Sequence, residues 1–309
     1  MKQIKIYAFI CSLFPPIVSQ SIRNIIFPMS KAQSLKIDFS KKAITGSIFR
    51  GNTADDHSYR FAIHGFFDWR NTIIAHRYIK KYKGDIIEIG ANVGTETISF
   101  CDLIAGKGNV HAFEPLPKNL IALESLAQNT NNLLIYSNAI SNKTAKINFQ
   151  IPPENTSGTG KIVDHQIIGT KQKTIIIDSI PLDRLTHVFS NPCIVSIDTE
   201  GHEPFVLEGA KKTIQKFRPA IIIEVSPKLL KKYANSESKN IHRYFQEIDY
   251  TCFIIKRYSI QKVSPKDLDL KKASNWFCVP NENSQIITKI KNDLLLRAFI
   301  PWYCLTPLS

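Results

Sequence analysis

Four side chains that can accept protons or bind a cation fall within six residues of this 309-residue chain. They are Asp198, Glu200, His202 and Glu203. A positioned histidine or carboxylate can remove the proton of an attacking hydroxyl group, and His202 is the natural base by its pKa. Alternatively, carboxylate oxygens of Asp198, Glu200 and Glu224 can hold Mg²⁺, which lowers the pKa of a bound hydroxyl. In a plainer interpretation, Glu200 caps the following helix and Glu203 complements its dipole.

A glycine-bearing turn between an apolar strand and a helix is the second feature that points to chemistry. Residues 85–97 read DIIEIGANVGTET. The isoleucines predict a buried parallel strand, and Gly90 and Gly94 allow a ligand to approach the backbone closely. A helix that starts at Thr95 would point its first N–H groups at the turn. A nucleoside cofactor would bind there, whereas the plain alternative is a connection without a ligand.

A second acid follows the turn at a spacing that suits ribose recognition. Glu114 ends the next short strand, 24 residues after Gly90. Its carboxylate can accept hydrogen bonds from both ribose hydroxyls. This acid makes the interpretation without a ligand the less favoured one.

The details of the turn favour S-adenosylmethionine over a dinucleotide. Dinucleotide sites use G-x-G-x-x-G so that a pyrophosphate rests on the helix N-terminus, but here Asn92 replaces the middle glycine and would obstruct it. Glu88, near the end of the strand, would repel a pyrophosphate. S-adenosylmethionine carries a sulfonium, an ammonium and no phosphate, so the same acid would attract it.

These runs and several later ones resemble the FkbM-family methyltransferases in order and spacing. The resemblance covers about residues 84–280, in the runs EIGANVGTET, FEPLPKNL, SNAISNKTAKINF, LDRL, IVSIDTEGHEPFVLEGA and RPAIIIEVSP. It implies a class I S-adenosylmethionine-dependent methyltransferase that acts on a hydroxyl oxygen. Two departures are visible. Glu88 stands where aspartate is more usual, which changes the reach of the carboxylate, and a lysine-rich insertion follows Pro152.

Strand and helix patterns alternate along the chain and predict an α/β, doubly wound, Rossmann-like sheet of the class I methyltransferase type. Four segments follow from this: an apolar and amphipathic N-terminal segment (1–29), a lead-in region (30–83), the methyltransferase domain (84–280) and a C-terminal helical tail (281–309). Residues 152–161, rich in Pro, Asn, Ser and Gly, predict a loop that would act as a lid.

Ligands in such a sheet bind outside the carboxyl ends of the strands, where the candidate residues lie. Glu88 is expected near the methionine end of the cofactor and Glu114 at its ribose, while Asn138 and Ala139 are placed to contact the adenine. The other cofactor-binding candidates belong to the turn itself: Gly90, Ala91, Asn92 and Gly94.

The charge of the chain bears on its acceptor. Basic residues exceed acidic ones by 14, and residues 211–272 hold fifteen basic and six acidic residues. This excess of positive charge would attract a phosphate-linked acceptor or an anionic membrane. In the plainer interpretation, the lysine-rich surface is only solvated by water. No nucleic-acid motif appears. We expect a hydroxyl of a saccharide, in a surface glycan or glycan intermediate; the alternatives are a polyketide-like acceptor, an NAD-dependent oxidoreductase and a non-catalytic binding module.

The N-terminus is apolar without being long enough to span a membrane. Residues 4–14 stop at two prolines, well short of the roughly 20 residues that a spanning helix needs. The isoleucines that follow share one side of a helix, so residues 4–27 predict either packing on the domain or peripheral contact with a membrane. Six cysteines without paired spacing predict buried thiols. With an intracellular cofactor, they favour a cytoplasmic protein over one with a cleaved signal peptide.

Overall fold

The computed structural model describes residues 2–163, 173–269 and 271–301. Part of the insertion after Pro152, the last residues of the C-terminal tail and Cys304 lie outside the described residues. The other five cysteines are free thiols and buried, as predicted.

The helices are α1 (Lys2–Ser12), α2 (Pro16–Ile26), α3 (Met29–Leu35), α4 (Asp56–His64), α5 (Trp69–Lys81), α6 (Thr97–Ile104), α7 (Pro117–Ala127), α8 (Glu203–Gly209), α9 (Lys211–Phe217), α10 (Pro227–Ala234), α11 (Ser238–Glu247), α12 (Pro265–Leu268) and α13 (Ile286–Ala298). The strands are β1 (Asp38–Lys42), β2 (Ile48–Asn52), β3 (Asp85–Ile89), β4 (Val110–Phe113), β5 (Leu133–Tyr136), β6 (Ala139–Ile140), β7 (Ala145–Gln150), β8 (Lys161–Val163), β9 (Thr174–Ile180), β10 (Pro192–Ile197), β11 (Ala220–Val225), β12 (Tyr250–Ile255), β13 (Ile260–Lys262) and β14 (Ser274–Pro280).

An eight-stranded sheet forms the centre of the fold, in the order β5-β4-β3-β10-β11-β14-β12-β13. The strands from β5 to β11 are parallel, and β14 runs antiparallel between β11 and β12. From β5 to β11 the order is the doubly wound one, in which the chain starts in the middle of the sheet and later returns to build the other half. The predicted α/β, doubly wound, Rossmann-like fold is confirmed.

Burial on both faces explains why the central strands are continuous apolar runs. All five residues of β3 and all six of β10 are buried, as expected for parallel strands with helices on both sides. Two separate helices, α8 and α9, follow β10 in the chain. Asp183 accepts hydrogen bonds from the backbone N–H groups of Lys212 and Thr213, which caps α9 as a separate helix.

A smaller, four-stranded sheet lies beside the main one, in the order β6-β9-β7-β8. The chain between β7 and β8 contains the predicted lid and reaches across to the start of α4. The carbonyl of Asn155 accepts a hydrogen bond from the N–H of Asp56, and the N–H of Ser157 donates to the Asp55 side chain. This part of the lid is therefore held against the lead-in region.

The N-terminal segment and the lead-in region share the hydrophobic core of the sheet. Phe27 and Tyr59 belong to the same buried cluster as Ile86 of β3 and Ile290 of α13. The Tyr59 hydroxyl donates a hydrogen bond to the carbonyl of Phe27. These contacts pack α2 and α4 on the domain, one of the two arrangements expected for the N-terminus.

Some large apolar side chains of α1 and α2 remain exposed on the outer surface. Ile6 and Phe9 lie at helical spacing on one face of α1, and exposed Leu13 follows directly after the helix. Val18 and Ile25 are exposed on α2. In the part of the chain that the structure describes, no helix has both the length and the apolarity needed to cross a bilayer.

Candidate active site

The site lies at the adjacent carboxyl ends of β3 and β10, where the order of the sheet reverses. Gly90 follows β3 with a φ of +91°, and a Cβ added there would lie 1.9 Å from the carbonyl oxygen of Asp198. The N–H of Asp198 donates to the carbonyl of Ile89 at 3.0 Å. Only glycine fits here, because the backbone after β10 passes directly against it. Gly90 was predicted to let a ligand approach the backbone closely, and it also lets the backbone at Asp198 approach the backbone after β3.

A first cavity of about 530 Å³ opens beside this junction, toward β4 and β6. Five of the cofactor-binding candidates line it: Gly90, Asn92, Glu114, Asn138 and Ala139. Much of the remaining wall is apolar and includes Phe113, Ile140 and Phe149. The cavity therefore combines an apolar slot with a buried carboxylate.

Glu114 is fixed at the edge of this cavity by the backbone of two loops. Its Oε2 accepts the N–H of Asn92 at 2.9 Å, and its Oε1 accepts the N–H of Leu116 at 2.8 Å. Burial raises the pKa of Glu114 to about 7 against these bonds, which lower it. Asn92 takes the left-handed conformation, with a φ of 52°, and its side-chain oxygen accepts from Asn119 at 3.0 Å. The carboxylate keeps lone pairs for hydroxyl donors of a ligand.

A second cavity, of about 750 Å³, continues from the first and shares Gly90, Asn92 and Asp198 with it. Glu88 and Ala91 also line this cavity. Burial raises the pKa of Glu88 well above its usual value. Within the described residues, the Oε2 atom of Glu88 has no hydrogen-bond partner. A cationic ligand group would give this oxygen a partner and stabilise its charge.

Three carboxylates meet in the second cavity. One oxygen each of Asp198, Glu200 and Glu224 lies within 4.8 Å of the others. Asp198 is open to the cavity yet lies deep in the protein, so desolvation and then Glu224 and Glu200 raise its pKa well above the usual value. Burial and repulsion from Glu200 raise the pKa of Glu224 to about 7. Three such acids need protons or a cation among them at neutral pH, and their oxygens are the ligands that Mg²⁺ prefers.

A third cavity, of about 820 Å³, adjoins the second and shares Glu224 and Asn275 with it. Three cations line it: Arg70, Lys256 and Lys272. Arg70 is bound to Asp68 through Nε and Nη2, and Lys256 Nζ lies 3.4 Å from Asp267. Lys272 is exposed. The cavity therefore changes from acidic, on the side of the second cavity, to basic.

Three of the predicted site residues line none of these cavities: Gly94, His202 and Glu203. His202 is buried, with its Nε2 2.9 Å from Ser141 Oγ, and burial lowers its pKa to about 4. Glu203 Oε1 accepts the backbone N–H groups of Thr199 and Gly201, each at 3.1 Å. This geometry favours structural roles for His202 and Glu203, and their catalytic roles stay predictions.

The lead-in region contributes two residues that the sequence did not single out. His57 and Phe67 line the second cavity, and their rings stack with centroids 3.9 Å apart and planes 8° from parallel. In the sequence, the signal for Phe67 is the aromatic and polar run HGFFDWR at residues 64–70. Nothing in the sequence relates His57 to the strand ends.

The chain is similar to several known proteins. Residues 88–252, more than half of the chain, match the model of the methyltransferase FkbM domain. The chain is 25% identical over 172 residues to the hexuronic acid methyltransferase AglP of Haloferax volcanii, a match that covers 55% of this chain and 64% of that protein. The chain thus spans just under two thirds of this relative's length.

Two solved structures are also similar. A methyltransferase FkbM from Methylobacillus flagellatus KT is 15% identical, with a TM-score of 0.42 over 84% of this chain and 60% of that chain. Fibrillarin from Aeropyrum pernix, solved with S-adenosyl-L-methionine bound, is 12% identical, with a TM-score of 0.38 over 68% of this chain and 76% of that chain. The match over residues 88–252 shows that the chain belongs to the FkbM family of methyltransferases.

Proposed function

We propose that the protein is an S-adenosylmethionine-dependent O-methyltransferase whose acceptor is a hydroxyl group of a saccharide, in a surface glycan or a glycan intermediate. The observation that carries this proposal is the series of three adjoining cavities, joined by shared lining residues. The first two suit a cofactor with an aromatic end and a charged end. The third suits an acceptor that reaches the second cavity with one hydroxyl.

The residues of the first two cavities fit S-adenosylmethionine. Glu114 would accept hydrogen bonds from the ribose hydroxyls, Asn138 and Ala139 would contact the adenine, and Glu88 would attract the charged methionine end. When bound, this cofactor supplies a methyl group on a positively charged sulfur. NAD fits less well, because the side chain of Asn92 occupies the turn and the acids of the second cavity would repel a pyrophosphate.

We also propose that Asp198, Glu200 and Glu224 hold Mg²⁺ in the second cavity. The support is the convergence of their oxygens and the raised pKa values of Asp198 and Glu224. A cation would offset the repulsion among the three carboxylates, and it would lower the pKa of an acceptor hydroxyl.

The third cavity supports an anionic acceptor. Arg70, Lys256 and Lys272 can attract a carboxylate or phosphate. The printed name of the relative AglP specifies a hexuronic acid, a saccharide with a carboxylate. Arg70 and Lys256 already lie beside Asp68 and Asp267, so Lys272 is the cation whose charge an acidic acceptor would match. A neutral polyketide-like acceptor would not, so we favour an acidic or phosphate-linked saccharide.

Replacing Glu114 by glutamine tests the cofactor site. Glu114→Gln keeps the size of the side chain but removes its charge, so the affinity for S-adenosylhomocysteine should fall by roughly 1–3 kcal/mol. Isothermal titration calorimetry measures this, with Glu124→Gln on the exposed face of α7 as the control. The ligand should also raise the melting temperature of the wild-type protein, whereas NAD should not. Equal affinity in Glu114→Gln and wild type would contradict the ribose assignment.

An assay with matched acceptors tests the acceptor class. We expect methyl transfer from S-adenosylmethionine to oligosaccharides that end in glucuronic acid, and little transfer to the same oligosaccharides ending in glucose. Lys272→Ala should raise KM for the acidic acceptor, and Lys271→Ala, next to the cavity but outside its lining, should not. In cells that lack the gene, mass spectrometry should find surface glycans lighter by one CH₂ unit. Surface glycans of unchanged mass, together with no methyl transfer to these oligosaccharides in vitro, would contradict the proposal.

Peripheral membrane contact through residues 4–27 of a cytoplasmic protein remains a further proposal. It rests on exposed Phe9 and Ile25, 63% and 79% accessible, and on a chain that carries no acidic residue before Asp38. Wild-type protein should sediment with phosphatidylglycerol vesicles and Phe9→Asp should sediment less. Ile121→Asp, at an equally exposed site on α7, is the control. Sedimentation of Phe9→Asp at the wild-type level would refute the contact.

A further inference from the structure

His57 sits in the first turn of α4, where its ring is held in a defined plane. Asp55 caps this helix, since its Oδ2 accepts the N–H of Ser58 at 2.9 Å. The other oxygen of Asp55 accepts the N–H of Ser157 at 3.0 Å, so the lid packs against the same turn. The face of the imidazole lies on the ring of Phe67. Stacking occupies a face of the ring and leaves its nitrogen-bearing edge available to a ligand.

The Nε2 atom of His57 points at the wall that the first two cavities share. Gly158 of the lid lines both cavities. A Cβ added to Gly158 would lie 2.4 Å from Nε2 of His57 and 3.1 Å from Nδ2 of Asn92. Because residue 158 has no side chain, the imidazole edge reaches this shared wall, where Nε2 packs against the backbone of Gly158. A reacting centre between the cofactor and the acceptor would lie at the junction of the two cavities.

The surroundings of His57 suit a group that is neutral first and then takes up a proton. Burial lowers its pKa, against Asp55 and Asp56, which raise it, while Arg60 lowers it further. A neutral imidazole with its proton on Nδ1 has a lone pair on Nε2. The groups that line the same cavity are acidic: Glu88, Glu96, Asp198, Glu200 and Glu224. The negative charges of Asp55 and Asp56, beside His57, would stabilise the imidazolium once it forms.

We propose that His57 is the general base of the reaction, an assignment that rests on the proposed function. In methyl transfer the acceptor oxygen forms a bond to the methyl carbon, the carbon–sulfur bond breaks, and the sulfonium becomes a neutral thioether. The hydroxyl proton must then leave. It passes to Nε2 of His57 and from there to solvent, so charge and atoms balance. Among the histidines that the structure describes, His57 lines the second cavity, whereas His202 lies against Ser141.

His57→Ala and His57→Gln test this role with a glucuronic acid oligosaccharide and S-adenosylmethionine as substrates. Both variants should lower kcat by about 10²–10⁴-fold, the usual contribution of a general base. Their affinity for S-adenosylhomocysteine and their melting temperatures should stay close to those of the wild type. Added imidazole should restore part of the activity of His57→Ala, which a purely structural role would not allow. The control is His187→Ala, at an exposed site, which should retain kcat.

The possible outcomes separate the two proposals. Full activity of both His57 variants, or loss of activity together with loss of S-adenosylhomocysteine binding and no rescue by imidazole, would overturn the role of His57 alone. A wild-type protein that binds S-adenosylhomocysteine but methylates no saccharide would overturn the proposed function and, with it, the base. If His202→Ala lowers kcat as much as His57→Ala does, the role of general base would be assigned to His202 instead.

Discussion

Gly90→Ala is expected to lower the free energy of unfolding by roughly 2–6 kcal/mol and to abolish binding of S-adenosylhomocysteine. Two effects add: a left-handed φ costs an alanine about 1–3 kcal/mol, and overpacking costs about 1–3 kcal/mol more. The overpacking arises because the new Cβ would lie 1.9 Å from the carbonyl oxygen of Asp198. Urea denaturation measures the first loss and calorimetry the second.

Gly106→Ala is the matched control for this variant. Gly106 also has a positive φ, of +71°, but no atom lies within 4 Å of an added Cβ. It should therefore show only the backbone strain, with normal ligand binding. If Gly90→Ala destabilises the protein no more than Gly106→Ala does, the tight contact between the ends of β3 and β10 is refuted.

Removal of divalent cations is expected to lower the methyl-transfer rate by about 10²-fold or more, since a bound metal contributes several kcal/mol. Dialysis against EDTA should show this loss, and Mg²⁺ should reverse it. Asp198→Asn should match the EDTA-treated enzyme and should not respond to Mg²⁺, because one ligand oxygen has lost its charge. The control is Glu208→Gln, an exposed acid of α8 outside the cavities.

Thermal unfolding at two pH values tests whether the same cation binds, without the need for an activity assay. The pKa of Glu224 is raised to about 7 in the folded protein from an ordinary value of 4.5. Between these values the folded state holds more protons than the unfolded state, so this group makes stability fall as pH rises. Mg²⁺ should offset that loss, and it should raise the melting temperature more near pH 8 than near pH 5. The proposed cation would be contradicted by an enzyme whose activity does not change with EDTA and whose melting temperature is the same with and without Mg²⁺ at both pH values.

The sheet and the strand-end acids could be predicted because both depend on short-range patterns. The apolar runs of β3 and β10 are what a strand buried on two faces requires. Parallel strands in such a sheet bring their carboxyl ends to one edge, so Glu88, Asp198 and Glu224 were expected to be neighbours. They line one cavity.

The placement of the two histidines could not be predicted in this way. His202 follows Glu200 and Gly201, which have positive φ values of 54° and 104°. This turn leaves the imidazole against Ser141, although the ordinary pKa of a histidine made His202 the natural base. His57 reaches the site only because α4 packs on the lid, a long-range contact that no local periodicity encodes.

The hydrogen bond from Ser157 to Asp55 joins residues 102 positions apart in the chain. Two of the fifteen residues that line the second cavity, His57 and Phe67, come from the lead-in region, which is synthesised before the sheet it packs on. A fragment limited to the family domain, residues 88–252, would retain Glu88, Glu114 and Asp198 but lack His57 and Phe67. With His57 as the proposed base, the smallest catalytic unit of this protein would be larger than the domain by which its family is defined.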